Sequence, residues 1–550
     1  MKKFFIITSL TEINYNQLKK YDKILAANPN LWHACNEKGL NTLLLSDELT
    51  KSEILSCYNF ANRILKKKNF KEKEFDFIEF FRIYYWEFFY EYKLLNIFFN
   101  KKKKIIFYLN ENLKKIPNSH LEILKPEYLL NFYLKNNYKN FYLIKKFDIL
   151  NNFRIKLIEI IKFFYNLKKK KNLIFNFPSK KIYDNLFVAS DNDLDKLIKL
   201  FKDKNLKKNN LIFGEHKSKE KIINFFKEKN SNVEFFDMNL FIKFNLNIIL
   251  HKKIVVSDYL DNILYKYKIK ISKDYFKNLN SDYLRAKLTI NILKVFFTKN
   301  NVREIYLVDF NGFIERSIEQ LSKILQMKIN LYPHGWLGNP EAYFFNLGKY
   351  FYNGILEKKI LAKQNKNLDF LKIKKNISEK SIAKKINKIL ILTTRARNRF
   401  ASNLSTKKFL SDWNIFLKTL VKHNSFEIHF KFHPNHNYKD WLINFMSKNN
   451  LRNYTIVDGD IAKISSNYDL VIDFGMPGSA TREILFSGTP ILIYSGLYSF
   501  DRGTNSYLYN SEFTIDNINH LCEKFTDCII NPLIELKKIK LNNKKLSKLL

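Results

Sequence analysis

Residues 468–494 read YDLVIDFGMPGSATREILFSGTPILIY, and this run decides how the chain folds. Leu470–Phe474 is a short apolar run of strand length that stops at a turn containing Gly475, Pro477 and Gly478. Helical spacing follows from Ser479 to Ser487, and Pro490–Tyr494 is the next strand. Strands that alternate with helices in this way build a parallel, doubly wound sheet, because each helix carries the chain back across a sheet face.

Upstream the same alternation continues through strands Ile389–Thr393, Glu427–Phe432 and Tyr454–Val457 and helices Phe409–His423, Tyr438–Lys448 and Ile461–Ser466. Residues 389–531 therefore read as one Rossmann-like domain. Beyond it, the Lys-rich stretch 532–550 is either a last helix or a frayed end. The less regular segment 336–388 is expected to connect two lobes. An earlier α/β lobe opens at 1–65, where Phe4–Thr8, Lys23–Ala27 and Thr42–Ser46 are short apolar runs, and resumes over 181–335. Its later strands are Leu186–Ala189, Asn210–Phe213, Val233–Phe236, Ile305–Val308 and Lys328–Tyr332. Between the two parts, residues 66–180 carry long Lys/Phe/Tyr/Asn segments with helical spacing and read as a mostly helical insertion. The expected fold is α/β: two Rossmann-like, doubly wound lobes with that insertion in the first.

Composition narrows the function classes. At 550 residues the chain holds more than one core. With 46% hydrophobic and 16% aromatic residues it lies outside the disordered class. The net charge of +42 attracts polyanions, although joint enrichment in Lys, Asn, Ile and Phe is also what AT-rich codon usage produces. The basic residues are mostly dispersed Lys, with no zinc-finger spacing or aromatic RNA-binding strand, so nucleic acid is not an expected partner. Cys35, Cys57, Cys522 and Cys528 form no CxxC pair, which fits a reducing cytoplasm. No run of about 18 uncharged apolar residues is present to span a bilayer. Peripheral contact with an inner membrane is a secondary expectation, through aromatic-rich Phe75–Tyr92 and the Lys runs 66–68, 101–104 and 168–171; buried aromatics with a solvated Lys fringe explain the same residues.

Ligands of open parallel sheets bind beyond the carboxyl ends of strands, so strand-end residues matter most. The strand EIHFKF ends directly at His433-Pro434, where the imidazole can donate to a phosphate oxygen and the proline stops the ladder; a loop histidine without a ligand is the competing view. After Leu470–Phe474, Gly478, Ser479, Ala480 and Thr481 open a helix, whose free N–H groups and positive end hold an anion, with Ser and Thr hydroxyls as added donors. Glu483, one turn in, can accept both hydroxyls of a ribose, while plain helix capping accounts for Ser followed by Glu. Arg395, with Arg397 and Arg399, follows the first strand of this domain and can reach a phosphate or simply line a basic seam; Asp501-Arg502-Gly503 is a weaker equivalent. Asp191-Asn-Asp193 and Asp458-Gly-Asp460 invite a metal, but each opens a helix and capping explains both, so no metal and no cofactor are expected.

With these residues in place, the 467–494 run resembles the donor-site signature of GT-B glycosyltransferases, and KFHP (431–434) resembles the His-Pro motif of capsule-type enzymes: bacterial polysialyltransferases, Kdo transferases and CDP-glycerol glycerophosphotransferases. NLYPHGW (330–336) is similar to the His-Gly turn ending the first half of glycerophosphotransferase-like proteins. The sequence departs from the pattern in lacking a paired Ser-Ser at the phosphate loop and an acidic-acidic-Gly base motif. The resemblance implies a cytoplasmic glycosyltransferase moving a sugar from a nucleotide-sugar donor, with a pyrimidine base, to a glycan or lipid-linked acceptor at the bacterial surface. It places the donor phosphate on His433 and 479–481 and the ribose on Glu483, and asks the first lobe for an acceptor base. His334, after Tyr332-Pro333, is the preferred base, with Asp309, after Val308, as its orienting partner or rival; turn and capping roles compete for both. Transfer of glycerol phosphate from CDP-glycerol, and a non-catalytic glycan-binding or assembly role, remain as alternatives.

Overall fold

A computed structural model of the chain describes residues 1–8, 15–27, 29–66, 71–72, 75–111, 126–145, 181–189, 209–213, 219–238, 273–308, 313–333, 348–363, 368–373, 377–393, 406–423, 425–432, 439–448, 451, 453–474, 478–496 and 512–549. Among them stand three parallel sheets. The first, in the order β3-β2-β1-β6-β7, contains β1 (Lys2–Ile7), β2 (Lys23–Ala26), β3 (Thr42–Leu44), β6 (Ile105–Glu111) and β7 (Phe141–Lys145); β4 (Lys71–Glu72) and β5 (Phe75–Asp76) form a separate antiparallel ribbon. The second is seven-stranded, β10-β9-β8-β11-β12-β13-β14, from β8 (Ile182–Val188), β9 (Asn209–Phe213), β10 (Asn232–Phe236), β11 (Asn301–Val308), β12 (Lys328–Tyr332), β13 (Gly348–Tyr352) and β14 (Leu368–Lys372). The third is β17-β16-β15-β18-β19, from β15 (Lys388–Thr393), β16 (Glu427–Phe432), β17 (Tyr454–Ile456), β18 (Leu470–Phe474) and β19 (Ile491–Tyr494). Counted within itself, each sheet starts 3-2-1-4-5, the Rossmann order, with its reversal point between the first and fourth strands.

The α/β architecture follows from the alternation, and the strands of 389–531 lie where the sequence places them. The N-terminal part differs. Residues 1–65 do not share a sheet with 181–335; they form their own, completed by β6 and β7 from the stretch read as helical. That stretch does contain the long helices Phe77–Lys101 and Pro126–Asn137. Its strands IIFYLNE and FYLIK are too short to display a period, and the Phe and Tyr that favour strands also occupy the flanking helices. The 336–388 segment likewise supplies β13 and β14, which extend the second sheet.

Side chains alternate between the two faces of each strand, and the cores record it. In β15, Ile389 and Ile391 enter a cluster with Trp413, Phe416 and Phe474, whereas Leu390 and Leu392 join Ile484, Leu485 and Ile493 on the other face. Helices thus cover both faces of the third sheet. The first two sheets share one apolar core, into which Phe88, Phe89, Tyr90 and Tyr92 of helix Phe77–Lys101 are buried beside Ile314, Ile318 and Leu321. The aromatic stretch considered for membrane contact is, in these residues, core.

Helix Pro532–Leu549 closes the outer strand of the third sheet. Asn543, buried in this helix, accepts from the Ile491 N–H at 2.8 Å and donates to the Ile491 carbonyl at 3.1 Å, so an amide side chain stands in for a sixth strand. Replacing Asn543 with Leu orphans both backbone groups, at roughly 1–3 kcal/mol for each. Urea unfolding of Asn543→Leu is expected to shift to lower midpoint by that order, and an unchanged midpoint refutes the role assigned to this side chain.

Candidate functional site

The carboxyl edge of the third sheet is level. Thr393 pairs with Phe432 and with Phe474, and Phe474 pairs with Tyr494, so β16, β15, β18 and β19 all end in one row. His433 and Pro434 follow Phe432, Arg395 follows Thr393 by two residues, and Gly475 follows Phe474; these three segments lie outside the described residues, as do Arg397, Arg399 and Asp501. What the described residues fix is where each segment departs. Neighbouring strands stand about 4.8 Å apart, so the points at which 433 and 475 leave the sheet are separated by roughly 10 Å across β15. The reversal point of the sheet falls between β15 and β18, where ligands of such sheets sit.

The helix Ser479–Ser487 begins at this edge. Its first intrahelical bond runs from Arg482 N to Gly478 O at 3.2 Å, so the N–H groups of Ser479, Ala480 and Thr481 precede the ladder and point out of the helix end. Gly478, Ser479 and Ala480 are half-buried, open enough to meet a ligand, and Glu483 is half-buried one turn on. Thr481 has a different role from the one its hydroxyl suggested. Fully buried, it accepts the Gly478 N–H at 2.8 Å and donates its only hydroxyl hydrogen to Asp473 Oδ2. The Thr481 hydroxyl is therefore no phosphate donor; it ties the loop to β18 and leaves the Thr481 backbone N–H for an anion.

Several polar groups at this edge escaped the sequence reading. The Thr393 hydroxyl, at the end of β15, is buried with no hydrogen-bond partner among the described residues. Arg482 is buried, its Nε also lacks a hydrogen-bond partner among them, and its charge acts on Glu357 at the start of the helix Ile355–Ala362. Glu357 accepts from Tyr350 Oη at 2.9 Å and from the Asn353 N–H at 2.8 Å, yet burial outweighs these bonds and pushes its carboxyl up. On the other face of the sheet, Asp412 accepts from Tyr494 Oη at 2.5 Å and from Lys408 Nζ at 2.6 Å, which holds a half-exposed ammonium beside the end of β19. The signal available was a polar residue closing an apolar strand: Thr393 in KILILT and Tyr494 in ILIY both fit it.

In the second sheet, Val308 pairs with Tyr332, so β11 and β12 end level; Asp309 follows the first end by one residue and His334 the second by two. Both lie outside the described residues. Of the strands they follow, β11 lies beside the reversal point between β8 and β11 and β12 is one strand further out. Under this edge Tyr332 stacks on Phe351 at 4.3 Å and Phe187 on Tyr306 at 5.1 Å, a stiff aromatic floor. Of the two Asp-x-Asp triplets, Asp191 and Asp193 lie outside the described residues, and Asp460 caps helix Ile461–Ile464 by accepting the Ala462 N–H at 3.2 Å. Among the described residues no group of three or more His, Cys, Asp or Glu is placed to hold a metal ion.

The chain matches no protein-family model and no curated protein. Among solved structures it is similar to Alr3699/HepE from Anabaena in complex with UDP and glucose (12% identity, 66% of this chain and 94% of that one, TM-score 0.39). It is also similar to a glycosyltransferase from Rickettsia africae (15% identity, 68% and 94%, TM-score 0.38). A third is UDP-GlcNAc 2-epimerase from Neisseria meningitidis bound to UDP-GlcNAc (11% identity, 66% and 98%, TM-score 0.38).

Burial raises the Asp473 carboxyl from 3.8 to about 7, the Thr481 hydrogen bond only partly opposing it. A folded-state acid with a raised pKa holds protons more tightly than the unfolded chain does. The stability it contributes is therefore complete below 3.8 and lost as pH rises through about 7. Asp473→Asn, which keeps an acceptor for Thr481, is expected to remove this decline. Denaturant midpoints of the two proteins should diverge in favour of the variant across that window, and parallel pH profiles refute the assignment.

Proposed function

We propose that the chain is a glycosyltransferase of the GT-B type, taking a sugar from a pyrimidine-nucleotide donor held by the β15–β19 lobe and delivering it to a bacterial surface glycan. The observation that carries this reading is the level carboxyl edge. One register ends β15, β16 and β18 level, so the segments that carry Arg395, His433-Pro434 and Gly475 depart from a single edge, beside a helix start with unspent N–H groups. An anion such as a donor phosphate is the ligand that such a rim suits.

In this reading the phosphate rests on the N–H groups of Ser479, Ala480 and Thr481 and on the Ser479 hydroxyl, with Gly478 allowing close approach. His433 and Arg395 add charged donors from the neighbouring strands, Pro434 fixes the turn behind His433, and Glu483 takes the ribose hydroxyls. Negative charge that builds on the leaving phosphate as the glycosidic bond breaks is met by dipoles and cations already in position, so little reorganisation accompanies the step. His334, at the rim of the second sheet, removes the acceptor proton, with Asp309 orienting it. The proposal needs no metal and no cofactor. An acceptor that is lipid-linked, and residence in the cytoplasm against the inner membrane, complete it.

Two measurements test the donor and acceptor halves separately. In a thermal-shift panel of CMP, CDP, UDP, GDP and their sugar conjugates, a pyrimidine nucleotide is expected to stabilise the protein most. Ser479→Ala and His433→Ala each lose roughly 1.5–3 kcal/mol of that binding, the worth of one hydrogen bond to a charged group. A purine preference, or no shift with any nucleotide, overturns the donor assignment; a preference for CDP-glycerol with glycerol-phosphate transfer redirects it to that chemistry.

His334→Ala is expected to leave nucleotide affinity unchanged while transfer falls roughly a hundredfold to ten-thousandfold, the usual range for a general base. If Asp309→Asn abolishes turnover and His334→Ala does not, Asp309 is the base. Full transfer by both variants removes the first lobe from the chemistry.

A further inference from the structure

The stretch 532–550 has no part in the site just described. It is a helix, Pro532–Leu549, whose two faces differ sharply. Glu535, Leu536, Ile539, Asn543, Leu546 and Ser547 are buried against the third sheet and its helices. The outward face presents Leu533 (53% exposed), Ile534 (57%) and Leu541 (60%), and Ile530 (66%) continues it at the end of the preceding helix. Between these apolar side chains the same face exposes Lys537, Lys538, Lys544, Lys545 and Lys548. Glu535, the one acid of the helix, lies on the inner face, where it pairs with Lys538 at 2.7 Å. Lys544 stands 4.0 Å from Glu379, and Lys537, Lys545 and Lys548 have no ion pair among the described residues.

We propose that this face is a docking surface for an anionic lipid bilayer, with Ile530, Leu533, Ile534 and Leu541 entering the headgroup boundary and the lysines meeting lipid phosphates. Charge complementarity selects this occupant. A second copy would set lysines against lysines. A nucleic acid would use the ammonium groups but leave four large aliphatic side chains in water, whereas a membrane interface accepts both kinds at once. No helix among the described residues is long and apolar enough to cross a membrane, so the contact lies on the surface. Because the opposite face is clipped to β19 through Asn543, docking fixes the third sheet itself relative to the bilayer rather than tethering it by a loose arm. The surface was not the one suggested by the aromatic stretch of the first lobe, and it stands independently of the donor-site reading.

The test is co-sedimentation of the full-length chain, without nucleotide, with vesicles of phosphatidylcholine alone or mixed equally with phosphatidylglycerol. The chain is expected to bind the mixed vesicles and not the neutral ones, and to be released by salt. Neutralising Lys537, Lys545 and Lys548 together (K537Q/K545Q/K548Q) is expected to weaken binding roughly fivefold per charge, on the order of a hundredfold in all. The apolar variant L533S/I534S/L541S is expected to lose roughly tenfold or more. All six positions are exposed, and unchanged thermal melts of both variants confirm that binding rather than folding is affected. Equal binding to both vesicle types, or wild-type binding by either variant, overturns the proposal. So does loss in the lysine variant alone, which makes the face a bare polyanion site. A wild-type dimer that dissolves in the apolar variant assigns the face to a second copy and overturns it as well.

Discussion

The shared register of β16, β15, β18 and β19 is the constraint from which the rest of the candidate site follows. A parallel ladder buried by helices on both faces cannot slip by one residue without turning its core side chains to the wrong side, so the row Phe432–Thr393–Phe474–Tyr494 is held by the whole apolar content of the lobe. Loops that leave such a row have their starting points fixed to within a residue, and polar groups on different strands become neighbours. Asp473 shows the cost. A carboxyl in the centre of the sheet, fully buried, is tolerated because one hydroxyl bonds it and, through the same oxygen, fixes the N–H of Gly478 at the mouth of the helix. Core stability and loop geometry are joined at Thr481.

The sequence disclosed the parts of this arrangement that are written locally. Strands such as KILILT and LVIDF are short, mostly apolar runs bounded by glycine, proline or a polar turn, and they lie where the pattern puts them. The first sheet was less legible. Its β6 and β7 sit among lysines and aromatics that serve helices equally well, and nothing local says that residues 105–111 return to pair with residues 2–6. The same limit governs the site. His433 is legible as a candidate because it follows a strand directly, and Ser479 because it opens a helix just after a strand and a glycine turn. Lys408, Asp412 and Tyr494 are joined only because the sheet brings positions more than eighty apart together, and the partner of Asp473 in its strand is Thr481, eight residues on in the following helix. The roles of His334 and Asp309 rest on strand order alone.

The lobes also communicate at a place remote in sequence from either rim. Arg482, in the first turn of helix Ser479–Ser487, acts on Glu357, which is held by Tyr350 of β13 and by Asn353 just beyond it. Close by, the Ser378 N–H donates to the Phe486 carbonyl at 2.9 Å, and Gly488 ends the helix at φ +73 with no space for a side chain, since a Cβ there would stand 2.0 Å from the Ser378 carbonyl. The helix Ser479–Ser487 is thus held at its far end by the chain that joins the second and third sheets, while the charge of its fourth residue acts on the second-sheet lobe.

The clip that Asn543 makes on Ile491 bears on how the protein survives crowding by its own kind. An outer strand such as ILIY, apolar and free of charge, is the sort of edge onto which a strand from another molecule adds, and stacking of that kind leads to insoluble assemblies. With the Ile491 amide and carbonyl occupied by a side chain, the Ile493 carbonyl and the Ser495 N–H bonded to Ile515, and a lysine-studded helix close by, an incoming strand finds few bonding partners and no electrostatic welcome. In a chain this rich in phenylalanine, tyrosine and isoleucine, β19 thus has its outer bonding groups taken at Ile491 by one asparagine and further along by the backbone of Ile515.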